Sequence, residues 1–227
     1  MIKDNLADVY QQIERACKQA NRSADSVKLI AVSKKHGVAK IRTAYALGQR
    51  DFGENYLNEA LEKQAQLNDL SIHWHFIGHI QSNKTRKIAE HFDWVHTVDS
   101  LKIARRLSTQ RPPNLAPINI CLQINIDNED SKSGLAEDID HLLSLAKSIA
   151  ELPHIKLRGL MCIPKPKADK QQEIDTFSRM KALQRVLNDN GVRVDTLSMG
   201  MSDDLQSAIE CGATIVRVGT AIFGKRM

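Results

Sequence analysis

A lysine set directly after a β-branched run is a candidate nucleophile. Here Lys34 follows Lys28-Leu29-Ile30-Ala31-Val32-Ser33, and Lys35 and His36 come next. An amine at a strand end sits on a rigid support. Partial burial and adjacent positive charge favour its neutral form, which attacks an aldehyde. The same pair also reads as two solvated loop lysines. A second group of residues suits an anion. Ser198, Met199 and Gly200 end one apolar run, and Gly219 and Thr220 end another. Small residues let the backbone approach a phosphate, and hydroxyls add donors. The alternative is a pair of tight turns with Ser202 or Asp203 capping a helix. Arg217 lies inside an apolar run, where an unpaired guanidinium is costly. It requires either a carboxylate or an acceptor on a ligand. Asn55, after Phe52-Gly53-Glu54, reads as a helix cap or as an amide aimed at a ligand oxygen.

The elements that must position these residues alternate along the chain. Leu6, Val9, Tyr10, Ile13, Ala16, Cys17 and Ala20 recur at helical spacing and predict an amphipathic opening helix. Eight apolar runs then predict strands: 28–33, around Phe52, 72–77, 94–98, 118–126, 155–163, 196–199 and 214–218. Helical stretches start between them, near Val38, Asn55, Asn83, Ser100, Glu137, Gln171 and Asp203. Strand–helix alternation implies parallel strands. Eight of them in 227 residues predict a single (β/α)8 TIM-type barrel over residues 1–227, with an additional N-terminal helix. Too little chain follows Val218 for an eighth outer helix, and the opening helix is expected to cover that gap. In such barrels ligands bind where strands end, with phosphate after strands seven and eight. Lys34, Asn55, Ser198–Gly200 and Gly219–Thr220 all fall at such ends.

Composition narrows the function. The chain is 42% hydrophobic and 26% charged, with no run of the roughly 18 apolar residues that a membrane helix needs. No secretory leader opens it, so a cytoplasmic protein is expected. The net charge of +5 is scattered and only 4% of residues are aromatic, which offers nucleic acid no stacking platform. Cys17, Cys121, Cys162 and Cys211 form no CxxC pair and read as packed, reduced thiols. His73, His75 and His79 include two on one strand face, but no acidic residue is spaced with them as a metal ligand. A packed ring is the simpler reading. Gly219 to Lys225 matches the phosphate-loop pattern G-x-x-x-x-G-K, but Arg226 stands where Ser or Thr is needed and no helix can follow.

The chain resembles the pyridoxal 5′-phosphate (PLP) homeostasis protein family over essentially its whole length. The matching segments are 31–34, 52–56, 74–78 with Gln81, Asn83 and Lys84, 131–134, 158–161, 199–204 and 217–224. That family's fold is similar to the barrel domain of alanine racemase. The resemblance implies a covalent Schiff base, an internal aldimine, between PLP and Lys34. It implies that Arg217 faces the pyridine nitrogen, that Asn55 lies near the phenolic oxygen, and that Ser198–Gly200 and Gly219–Thr220 hold the phosphate. Many members read Thr-Lys-Pro after the lysine, whereas this chain reads Lys35-His36-Gly37, so no second lysine stands two positions on. The racemase carries a further domain that supplies an opposing base, and this chain ends after the barrel. A monomeric, non-catalytic carrier of PLP, exchanging it with PLP-dependent apo-enzymes and affecting vitamin B6 and amino-acid homeostasis, is therefore expected. A slow PLP-dependent amino-acid racemase is the alternative.

Overall fold

The computed structural model describes residues 1–129 and 133–225. Its elements run α1 (Ile2–Gln19), β1 (Lys28–Val32), α2 (Val38–Ala46), β2 (Asp51–Glu54), α3 (Leu57–Gln66), β3 (His73–Phe76), α4 (Thr85–His91), β4 (Trp94–Val98) and α5 (Leu101–Gln110). They continue with β5 (Ile118–Ile124), α6 (Ile139–Ala150), β6 (Ile155–Cys162), α7 (Lys170–Asp189), β7 (Thr196–Ser198), α8 (Leu205–Glu210), β8 (Ile215–Val218) and α9 (Thr220–Phe223). All strand pairs are parallel, and β8 pairs with β1 to close the barrel. The predicted (β/α)8 architecture is thus the observed one.

Period-two alternation splits the apolar residues into two cores. On β1, Leu29 and Ala31 face the helices and join the large outer core. Ile30 and Val32 face inward, with Ile77, Trp94, Cys121, Met161 and Ile215. Lys28 and Lys34 share the parity of Ile30 and Val32, one before the strand's middle and one past its end. Both faces of β1 are buried from Leu29 to Val32, which explains why it reads as an unbroken apolar run.

Helix α1 buries Leu6, Val9, Ile13, Ala16 and Cys17 and packs on α2, α8 and α9. It fills the gap left by α9, which is a single turn. Ser100, Asp138 and Asp169 cap α5, α6 and α7, each side chain accepting a backbone N–H three residues on. Asn55 and Asn83 do not cap: α3 starts at Leu57 after Tyr56, and Asn83 lies inside a short 3-10 turn. The N-cap of α8 is Asp204, one residue later than expected, and its carboxylate accepts the Met201 N–H at 2.6 Å. All four cysteines are free, three of them buried. Among the described residues no helix is long and apolar enough to cross a membrane.

Candidate functional site

Lys34 lies in the tight turn after β1 and is half-buried. The turn closes with the His36 N–H donating to Ser33 O at 3.0 Å, and Lys35 takes the left-handed conformation at φ 62°. A buried charge cluster behind it holds this strained turn. The Lys63 ammonium donates to Ser33 O (2.8 Å), to Glu54 (2.7 Å) and to Glu59 (2.6 Å). Ser33 Oγ donates to Glu54 at 2.6 Å, and the Lys35 N–H donates to Glu59 at 2.6 Å. Burial pushes the Glu54 carboxyl above its ordinary range, against the opposing pull of Lys63. The backbone on both sides of Lys34 is therefore pinned.

Arg217 is buried on β8. Its guanidinium donates to Ser198 Oγ at 2.7 Å and to Cys162 O at 2.8 Å. Both acceptors are neutral, and among the described residues no carboxylate forms an ion pair with it. That removes the ion-pair reading and leaves a buried cation with N–H groups to spare. Burial lowers its pKa from the ordinary arginine value. Among the described residues Asn55 donates only a long 3.4 Å bond to Ile77 O, and its buried Oδ1 has no partner. An acceptor-seeking cation and an under-used amide fit a polar, planar ligand such as a pyridine ring with a phenolic oxygen.

The anion loops fit in part. Gly219 lies against the end of β1: a Cβ there would stand 3.1 Å from Val32 O. It therefore brings the exposed Thr220 beside the Lys34 turn. Gly200 takes φ +98°, and a Cβ on it would meet Ala208 Cβ at 2.7 Å. Two of the expected phosphate ligands are placed differently. Ser198 Oγ is fully buried and committed to Arg217 and to His96 Nδ1, 2.9 Å away. Met199 buries its side chain in the outer core, and its N–H donates to Ile215 O. These two residues support the mouth from below.

The histidines separate. The exposed His73 lies with His75 beside Asp51, at 3.4 and 3.0 Å, whereas His79 lies on the next loop with its Nδ1 3.1 Å from Ser133 Oγ. The acidic neighbour missing from the local sequence comes from the adjacent strand. His36 packs its ring on Phe223, with centroids 5.2 Å apart, so it is drawn toward the C-terminal segment. Lys35 Nζ stands 5.9 Å from the Tyr56 ring centroid. Ser131 and Lys132 of the matching segment 131–134, and Arg226, lie outside the described residues. Sequence reasoning missed Asp51, Glu54, Lys63 and His96. Polar residues at inward-facing strand positions were the available signal for Asp51 and His96.

The family model described as the alanine racemase N-terminal domain matches residues 5–227. A Pseudomonas aeruginosa protein named pyridoxal phosphate homeostasis protein is 55% identical over 99% of this chain and 96% of its own length. The Escherichia coli K12 protein of the same name is 46% identical, over 99% and 97%. The solved structure of PipY from Synechococcus elongatus with PLP bound is 38% identical, with TM-score 0.85 over 99% of this chain and 100% of that one. A Clostridium difficile alanine racemase, 15% identical with TM-score 0.75 over 57% of its length, shares the fold.

Proposed function

The chain belongs to the pyridoxal phosphate homeostasis protein family, and from that premise we propose that it holds PLP as a Schiff base on Lys34, as a non-catalytic carrier. The observation that carries this reading is Arg217, a buried guanidinium whose hydrogen-bond partners among the described residues are both neutral. Arginine always donates, so the ring nitrogen it meets must be an unprotonated acceptor. PLP, when bound, supplies an electrophilic aldehyde and an electron sink, and an acceptor nitrogen weakens that sink. Weak activation suits holding and releasing the cofactor better than turning over a substrate.

The remaining residues take complementary roles. Glu54, Glu59 and Lys63 pin the turn that presents Lys34. Asn55 orients the phenolic edge. Gly200 and the Gly219–Thr220 loop receive the phosphate, while Ser198 acts through Arg217 and Met199 packs beneath. The protein works as a cytoplasmic monomer that exchanges PLP with apo-enzymes and so affects vitamin B6 and amino-acid homeostasis.

The test is to add PLP to the apo-protein and to Lys34→Ala, record absorbance, fix any adduct with borohydride and map it by mass spectrometry. The expected result is an imine band in the wild type alone, with the adduct on Lys34. An adduct absent from Lys34 would overturn the proposal. Incubation of the loaded protein with amino acids in deuterium oxide then separates carrier from racemase. Deuterium incorporation at Cα over many turnovers per site would refute the non-catalytic part.

A further inference from the structure

The interior of the barrel holds a line of polar groups that the binding reading does not use. Asp51 begins β2 on the floor, in a cleft it shares with Tyr10, Lys28 and Arg50. Asp51 Oδ1 accepts from Lys28 Nζ at 2.9 Å and stands 3.0 Å from His75 Nε2. His75 Nδ1 stands 2.9 Å from His96 Nε2, and His96 Nδ1 stands 2.9 Å from Ser198 Oγ. Ser198 Oγ in turn accepts from Arg217 at 2.7 Å. His75, His96 and Ser198 are wholly buried. The Trp94 ring holds both imidazoles, stacked on His75 with centroids 5.6 Å apart and tilted against His96 at 5.7 Å. Six neighbouring strands of the closed barrel, β7 and β8 followed by β1 to β4, meet in this one line.

The sense of every bond follows from its ends. Arg217 can only donate. Asp51 can only accept, because it stays ionised: burial pushes it up, but the bonds from His75 and Lys28 overrule this and hold it at about 2. Burial lowers the pKa of both histidines, so each carries one ring proton. His75 must therefore donate from Nε2 to Asp51 and accept at Nδ1. His96 must then donate from Nε2 and accept at Nδ1. The Ser198 hydroxyl must donate to His96, which leaves its lone pair for Arg217. No other assignment satisfies all five groups.

We propose that Asp51, His75, His96 and Ser198 form a one-way donor chain that positions Arg217 toward the cofactor's ring nitrogen, making Asp51 on the floor a positioning residue for a group at the mouth. The positioning role rests on the PLP reading above, whereas the sense of the chain does not. Each donor polarises the next, so the Asp51 charge makes Ser198 Oγ a better acceptor. A carboxylate beside Arg217 would engage the guanidinium in a two-bonded fork. The relay engages only one N–H at Ser198 and leaves others for the ligand.

Two measurements test this. Long-range proton–nitrogen NMR on the apo-protein with labelled histidine is expected to show His75 and His96 both protonated at Nε2 alone. An Nδ1–H tautomer or an imidazolium at neutral pH at either residue would overturn the chain. PLP release to an acceptor apo-enzyme, with the Lys34 imine band followed throughout, is then compared among Asp51→Ala, Asp51→Asn and wild type. Asp51→Ala removes the terminal acceptor, whereas Asp51→Asn keeps one. Release about tenfold faster from Asp51→Ala, largely restored in Asp51→Asn, is expected. Wild-type release from Asp51→Ala would overturn the positioning role. A wild type that forms no Lys34 imine would instead overturn the PLP reading and the positioning role together, with the NMR result still deciding the chain.

Discussion

His75 and His96 are neutral residents of a closed interior, and that sets how acid acts on the molecule. Burial holds His75 below its ordinary value and His96 well below it. Once unfolded, both regain a pKa near 6.5 and take up a proton below that pH. The unfolded state then binds more protons than the folded one, so stability falls as pH drops below 6.5. The slope from His96, held well below, approaches about 1.4 kcal/mol per pH unit, and His75 adds to it in the same direction. Asp51 acts in a separate window: its contribution is present above the unfolded carboxylate value and is lost only as pH falls toward about 2. Urea unfolding at pH 7.5, 6.5 and 5.5 is expected to show the histidine slope, with His96→Gln losing the larger part of it. An unchanged slope in that variant would contradict the assignment. Lys34, Arg217 and Asn55 could be singled out from residue type and position, and all three lie at or under the mouth. Asp51 and His96 showed only as polar residues at inward-facing strand positions, because their partners, from Lys28 to Ser198, are supplied by other strands.

Strand β2 and helix α3 together make the support for the Lys34 turn. Glu54 ends the strand, and Glu59 and Lys63 stand one turn apart on the helix. Lys63 and Glu54 are nearly inaccessible to water. Removing one partner of such a pair leaves a buried, uncompensated charge, at a cost of about 3–5 kcal/mol. Lys63→Met is expected to lose that much in chemical denaturation and to release the Lys35 turn. Glu54→Gln combined with Lys63→Met should recover much of it, since no bare charge then remains. A Lys63→Met protein of wild-type stability would show that the cluster does not support the turn. Element types and order were legible because period-two and helical patterns are local. Of the two readings of Asn55 the cap fails, because the backbone stays extended through Tyr56 and α3 begins only at Leu57.

At the scale of the whole molecule, α1 covers the barrel beside α9, the single turn that follows β8. Its apolar stripe packs on α2, α8 and α9, so the first and last parts of the chain form one layer. Asn5 Nδ2 donates to Ile222 O at 3.0 Å across this seam. Ile13 is 2% exposed there, and Ile13→Ala is expected to cost about 2–5 kcal/mol. Because the seam lies behind β8 and β1, the strands that carry Arg217 and lead into Lys34, the same variant should also release PLP faster. Denaturation midpoints and release rates of one preparation check both effects, and an undisturbed midpoint would mean that α1 is peripheral.

Sequence alone determined the barrel, the covering helix, the free thiols and the set of strand ends where a ligand would be met. These depend on local periodicity and on the rule that parallel strands end together at one face. Tertiary structure decided what each inward residue does there. Strand register placed Asp51 beside two histidines, the closed interior joined His96 to Ser198 and Ser198 to Arg217, and α3 set Lys63 behind Lys34. The longest of these contacts, His96 to Ser198, joins residues 102 positions apart. Local sequence pattern does not encode them, because they depend on strand register and on which side chains the closed interior forces together.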